Sequence, residues 1–287
     1  MDQNTQERFG TCDPRLPSPE YSDFDGEEYR VNSLDEFVSG IASNKKAGYQ
    51  FYRGQTENWK LLPKLARLGY PPKFLLALEE DSMTHFKLRS APFRKSLIPT
   101  PMELLQLMQH YGAYTRLSDW TMNPLAALWF AVSESEAATR TTDSVVWRFN
   151  CPTKFIYTID DGDPRIDVED CVILPYDTDP RINAQDGIFL VHTFHEPDRG
   201  FLPLESNQKI RNCLSLYKIP WKERNLIRQA LDEFGINERR LFPDLGGIAR
   251  HLNWKIRVES AGFQFFDQNR IPIERLPIVG DLKRRAK

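Results

Sequence analysis

The sequence lacks any long hydrophobic run. Its most apolar stretch, Pro124 to Val132, is far shorter than the roughly 20 residues a membrane-crossing helix needs. The N-terminus is acidic, where a secretory leader would place a basic patch before an apolar core. These two absences predict a chain with no membrane anchor or leader, working in the cytoplasm. Cysteine is scarce: Cys12, Cys151, Cys171 and Cys213 are scattered, without a Cys-x-x-Cys pair or a neighbouring histidine, so neither a zinc site nor a disulfide framework is expected. Histidine is scarce too. Of five, His192 and His195 stand closest to ligand spacing, but at that spacing in a strand they would point to opposite faces. No Gly-x-x-x-x-Gly-Lys-Ser/Thr, Gly-x-Gly-x-x-Gly, Gly-x-Ser-x-Gly or His-Glu-x-x-His occurs, which removes the familiar P-loop, Rossmann, serine hydrolase and zinc protease readings. No metal is expected.

What is present fits a folded chain of 287 residues with 40% hydrophobic content, enough for one large core or two small ones. The net charge of −2 conceals an asymmetry. Residues 1–30 hold eight acidic groups against three basic ones, a local −5, so the remaining 257 residues carry about +3. A modestly basic body can gather its charge in one groove, as a polyanion or dinucleotide site requires, or spread it over a solvated surface. Residues 1–30 are also poor in branched apolar side chains and read as a flexible acidic arm, followed by one domain over 31–287.

Local signals then set the elements. Ser33-Leu34-Asp35-Glu36 resembles a capping box, opening a short amphipathic helix to about Asn44. Tyr49 to Arg53 has strand composition and ends at Gly54. Trp59 to Arg67 reads as a linker, and Pro71-Pro72 opens a helix. Thr100-Pro101-Met102-Glu103 combines a capping box with proline at the first helical position, and Gly112 is the expected stop. Asn123-Pro124 repeats the cap-plus-proline start for the helix carrying Leu125, Leu128, Trp129 and Val132. From Asp143 onward, short apolar runs alternate with turns: strands are expected at Ser144–Phe149, Lys154–Ile159, Cys171–Leu174, Gly187–Phe194 and Leu214–Ile219. Loops between most of them favour antiparallel pairing. Helices over Trp221–Phe234 and Pro243–Leu252 close the chain. The fold class is therefore α+β, a mixed, mainly antiparallel β core with flanking helices.

The densest chemistry lies in Gln109 to Thr121, twelve or so polar, ionisable and aromatic residues running into an apolar helix, together with Phe51-Tyr52-Arg53-Gly54-Gln55. Arginine forks suit phosphates, aromatic faces suit adenine or nicotinamide rings, and a helix N-terminus suits a pyrophosphate. Arg53, Thr115, Arg116, Asp119 and Thr121 with Tyr52, Tyr111 and Trp120 would thus suit a dinucleotide. They equally describe a structural pin, Arg53 or Arg116 paired with Asp119, with Trp120 and Trp129 in the core.

Tyr52-Arg53-Gly54-Gln55 with Trp59 and Pro63, then Gln109-His110-Tyr111-Gly112, Thr115-Arg116-Leu117, Asp119-Trp120-Thr121 and Asn123-Pro124, resembles the FRG domain, named for Phe-Arg-Gly. Arg181-Ile182 with Gln185 and Gly187, and Leu241 to Gly247, extend the resemblance. Tyr52 replaces the eponymous Phe, and Tyr114 and Ser118 stand where Pro and Leu are usual. The motif order is similar to that of ADP-ribosyltransferases, which implies an ADP-ribosyltransferase-like fold and NAD as substrate. On that analogy Arg53, with Gly54 and Gln55, binds the pyrophosphate or nicotinamide ribose. Tyr52, Tyr111 and Trp120 face the rings, Thr115, Arg116 and Thr121 bind the cofactor, and Gln185 meets the ribose. Such transferases offer a glutamate where this chain has Gln185, which cannot act as a base. Asp119, Asp186 or His110 would then deprotonate the acceptor, Asp119 being the first choice. The implied role is a toxin or phage-defence effector modifying nucleic acid or protein, with an antitoxin as possible partner. A non-catalytic nucleotide- or RNA-binding module and a nuclease are the alternatives.

Overall fold

A computed structural model describes residues 20–44, 48–93, 100–133, 141–157, 165, 169–175, 180–195 and 200–267, with side chains to residue 258. The chain divides into two units between Ile236 and Asn237. In the first, eight strands form one sheet: β1 (Glu27–Arg30), β2 (Tyr49–Gln55), β3 (Leu117–Thr121), β4 (Ser144–Cys151), β5 (Ile156–Tyr157), β6 (Cys171–Ile173), β7 (Gly187–Val191) and β8 (Leu214–Ile219). Their order is β1-β8-β4-β2-β3-β7-β6-β5. All neighbours run antiparallel except β1 beside β8 and β5 beside β6. The expected mixed, mainly antiparallel sheet with flanking helices is what the chain forms.

The helices begin where capping chemistry placed them. Ser33 accepts from the Glu36 amide and starts α1 (Leu34–Ser43), while the Glu36 carboxylate takes the Asn32 amide at 2.8 Å. Thr100 and Glu103 close a full capping box on α3 (Pro101–His110), and Asn123 accepts from the Leu125 and Ala126 amides to start α4 (Pro124–Val132). Each satisfies amides that a helix start leaves without partners. The long helix α2 (Pro72–Ser90) opens at the double proline. Short α5 (Pro180–Ala184) and α6 (Gln208–Arg211) precede β7 and β8, and α7 (Arg224–Glu233) follows a turn of 3₁₀ helix at Trp221–Glu223.

One core cluster gathers Phe51, Trp120, Val145, Trp147, Phe149, Val172, Ile188, Leu190 and Leu216 around Leu61 and Leu204. A second joins Leu117, Phe189 and Val191 to Leu104, Leu105 and Met108 of α3 and Met83 of α2. The strand alternation explains the division: Leu117 goes to one cluster and Trp120 to the other, as odd and even positions of one strand must. A third, smaller cluster packs Leu65, Leu75 and Phe201.

Several boundaries differ from the sequence reading. The arm expected over residues 1–30 includes a paired segment, because Glu27–Arg30 lies parallel to Ser215–Lys218 and Glu28 forms an ion pair with Lys218 at 2.7 Å. Residues 1–19, with Cys12, lie outside the described residues. Lys154–Ile159 gives only β5 after a 3₁₀ turn at Thr153–Phe155, and residues 158 and 159 are not described. The second unit holds α8 (Glu238–Leu241) and α9 (Leu245–Asp267). The sequence reading places one short helix in this region, over Pro243–Leu252. No proline interrupts residues 245–267, so α9 continues well past Leu252.

Candidate functional site

The site begins at a seam. β2 pairs with β4 along its whole length, yet its register with β3 is confined to Tyr52↔Thr121. Beyond that point Arg53 bridges the two strands itself, its Nη1 donating to the Asp119 carbonyl at 2.5 Å. The Asp119 carboxylate is held from the other side. Gln109 Nε2 donates to Asp119 Oδ2 at 2.8 Å, Gln109 Oε1 accepts from Thr115 Oγ1 at 2.7 Å, and Thr115 Oγ1 accepts from the Leu117 amide at 3.2 Å. This relay follows from local structure: Gln109 sits on the last turn of α3, and Gly112, at φ +85°, turns the chain back so that β3 passes beneath it.

Burial pulls the partly buried Arg53 guanidinium below its usual range, and Asp119 opposes that shift. Lys64 shares the field: burial lowers its pKa, Asp119 raises it, and Arg53 and Arg67 lower it further. Lys64 thus feels two cations, Arg53 and Arg67, and one carboxylate, Asp119. Like charges brought together this way, partly withdrawn from water, stabilise an anion placed among them.

Other expected residues sit elsewhere. Tyr52 is buried, its hydroxyl donating to Gln50 Oε1 at 2.9 Å, and burial pushes its pKa up. Gly54 lies under α4, where a Cβ would fall 1.9 Å from the Ala127 carbonyl oxygen; it serves close helix-to-strand packing. Gln55 is buried and accepts from Trp147 Nε1 at 3.0 Å. Arg116 is committed to Glu79, with Nε to Oε2 at 2.6 Å and the backbone amide to Oε1 at 2.8 Å. That buried pair ties β3 to α2, so Arg116 pins the fold as the structural alternative allowed, with Glu79 as partner in place of Asp119. Trp120 packs in the core and donates to Ser118 Oγ at 3.1 Å, so stacking on a ring is replaced by burial. Thr115 and Thr121 are buried, and the hydroxyl of Thr121 is spent on the Gln185 carbonyl at 2.6 Å.

Gln185 thus adjoins β3, but at the far end. Gly187 is the register partner of Thr121 and Phe189 that of Asp119, which leaves Gln185, in the turn before β7, at the Thr121 end of β3. His110 and Tyr111 end α3. Tyr111 is exposed, its ring edge-on to His110 at 5.0 Å. Of the residues expected to converge, Arg53, Thr115 and Asp119 do so, together with Gln109 from the same stretch, and Lys64 and Arg67 join them unanticipated. The latent signal for the two cations is that no acidic residue occurs between Asn58 and Leu78.

A buried polar network lies behind the seam. Ser118 Oγ is 2.9 Å from His192 Nε2; since Trp120 donates to Ser118, the serine proton is left for the imidazole. Burial drives the His192 pKa down to about 4, with Asp170 pulling the other way and Arg53 and Arg67 adding to the fall. Asp170 accepts from the Thr193 amide at 2.7 Å and Asn207 Nδ2 at 2.8 Å, and stands 3.8 Å from His195 Nε2. Those contacts hold its carboxyl below the usual range against the opposing effect of burial. Ser118 and His192 are too deeply buried for a nucleophile and base. Among the described residues no group of three or more histidine, cysteine or acidic side chains is placed to hold a metal ion. Likewise, none of the described helices is long and apolar enough to cross a membrane.

Fold and seam define an α+β protein whose central sheet carries Arg53 and Asp119 side by side at the junction of β2 and β3. The FRG domain family model matches residues 49–140, the span that carries Arg53, Lys64, Arg67, Gln109 and Asp119. The resemblance read from the motifs is there in that segment. No curated protein matches the chain, and no solved structure does.

Proposed function

We propose that the protein is an NAD-dependent ADP-ribosyltransferase of ADP-ribosyltransferase-like fold, working at the β2–β3 seam on a nucleic acid or protein acceptor, as a toxin or phage-defence effector would. The observation that carries the reading is the Arg53 guanidinium bonded to the Asp119 carbonyl, with Lys64 in the field of both residues. A pyrophosphate fits such a field. In the reaction the bond between the ribose C1′ and the nicotinamide nitrogen breaks, and nicotinamide leaves with the electron pair. The acceptor's oxygen or nitrogen then bonds to C1′, and its proton passes to Asp119. A carboxylate beside an oxocarbenium-like ribose also lowers the barrier electrostatically. Gln109, bonded to Asp119 Oδ2, orients that carboxylate and leaves Oδ1 for the acceptor.

Incubation with NAD labelled in the nicotinamide ring tests this. Release of nicotinamide by the native chain, reduced at least about 100-fold in Asp119→Asn while NAD still binds, is the expected result; an Asp119→Asn protein of undiminished activity overturns it. A second reading has its own support. Tyr52 and Trp120 are buried, which leaves the seam with phosphate-binding groups and without those rings. A non-catalytic nucleotide-binding module would bind NAD tightly and release no nicotinamide.

A further inference from the structure

We propose that Arg148 of β4 is the centre of a small-anion site, which grips a carboxylate or an inorganic phosphate on the face of the sheet opposite Arg53. The Arg148 side chain is only 1% exposed. Its Nη1 donates to the Tyr217 hydroxyl at 3.3 Å, while Nε and Nη2 are buried and bond to nothing. No described carboxylate forms an ion pair with it. Nε and Nη2 share one edge of the guanidinium, the fork that takes two oxygens of a carboxylate or phosphate side by side. Arg116, which is also buried, shows such an edge satisfied: its Nε and Nη2 reach Glu79 Oε2 at 2.6 and 2.5 Å. A guanidinium withdrawn from water with that edge idle is strongly unfavourable until an anion joins it.

The surroundings are polar and neutral. Tyr52 on β2 and Ser215 on β8 are the register partners of Arg148, and cross-strand partners share a face. Tyr52 gives its proton to Gln50 Oε1 at 2.9 Å, and Tyr217 gives its own to the Gly40 carbonyl at 3.5 Å. Burial raises the Tyr52 pKa although Arg148 opposes it, so that phenol does not supply the missing charge. Two residues further along the same face of β4, Asn150 leaves its amide oxygen buried without a partner; turned over, that amide would add a donor. A way in exists at the end of α1. The Gly40 carbonyl also accepts from Asn44 Nδ2 at 2.9 Å, and Asn44 and Gln50 are half-buried, so a hydrogen-bonded chain runs from the Arg148 side chain towards the surface. The burial of Arg148 restricts the ligand to a small oxyanion. Arg53, next to Tyr52 along β2, points to the other face, and the site therefore stands apart from the seam and from the transferase reading.

Thermal unfolding of the full chain, followed by circular dichroism at pH 7 and constant ionic strength with sodium chloride as the balancing salt, tests the proposal. Sodium phosphate or sodium acetate is expected to raise the melting temperature saturably, by about 3–6 °C at ten times the half-saturating concentration. A larger rise in phosphate marks a tetrahedral oxyanion as the ligand, and a larger rise in acetate marks a carboxylate. Arg148→Gln abolishes the response. Ser215→Asp plants a carboxylate across from the fork, so that variant is expected to melt at or above the native temperature in chloride and to ignore both anions. With no idle cation beside it, a buried aspartate would instead lower the melting temperature by about 5 °C or more. Absence of a saturable rise in both anions overturns the site. So does a rise that climbs without saturating, the general effect of excluded salts, or a response that survives in Arg148→Gln. Should Arg148→Gln fail to fold, a destabilised Ser215→Asp that still responds to the anions overturns the site in its place.

Discussion

At the scale of single residues, one buried imidazole governs the response to acid. His192 is 1% exposed, and its pKa in the fold is about 4 against an ordinary 6.5. Between those values the unfolded chain holds a proton that the folded chain does not, so folding stability falls as pH drops from 6.5 towards 4 and is unaffected by this group above 6.5. The shift corresponds to a loss on the order of 3 kcal/mol. Asp170 acts lower: its folded pKa lies below 3.8, so the stability it contributes is lost only as the pH falls through that depressed value. Urea titrations at pH 7, 5.5 and 4.5 are expected to show the midpoint falling across the first window, with the slope against pH flattened in His192→Gln. A pH-independent midpoint from 7 to 4.5 would contradict this account. The residue scale is also where sequence reading was weakest. Arg116 and Trp120 have the right chemistry for a ligand, but their partners are Glu79, 37 residues earlier, and a core assembled from five strands. Side-chain type shows what a group can bind; it does not show which distant residue reaches it first.

At the scale of elements, the approach of α4 to β2 fixes the seam. Ala126, Ala127 and Ala131 are fully buried, and opposite them Gly54 lets backbone meet backbone. In Gly54→Ala the added methyl would overlap the Ala127 carbonyl oxygen at 1.9 Å and crowd the Ala131 amide at 2.7 Å, and backbone atoms of a helix cannot rotate aside. The expected cost is about 3 kcal/mol, read as a lower urea midpoint with unchanged slope; a loss under about 1 kcal/mol would mean that α4 shifts freely. Element starts were legible where the signal was local. The Thr100–Glu103 box, the Asn123 cap and the bounds of β8 at Leu214–Ile219 needed only neighbouring residues. β1 was not legible, because Glu-Glu-Tyr-Arg has no apolar alternation and becomes a strand only by pairing with residues about 190 positions later in the chain. Lys64 and Arg67 were hidden for a related reason. They occupy what reads as a linker, and their place beside Asp119 depends on the Leu65 amide bonding to the Thr115 carbonyl at 3.4 Å.

At the scale of the whole molecule, the division at Ile236 separates the seam from the last fifty or so residues. Among the described residues every strand of the sheet ends by Ile219, and the clusters built on Phe51, on Leu105 and on Leu65 draw no described member from beyond Leu216. The seam's Arg53 and Lys64, its carboxylate and the Gln109 relay all belong to the first unit. A core that closes within one segment carries its own cooperativity. The chain ended at Ile236 is therefore expected to keep its far-ultraviolet signature and to unfold in a single transition in urea. A broad, non-cooperative transition with dye-binding apolar surface would show that residues 237–287 complete the core.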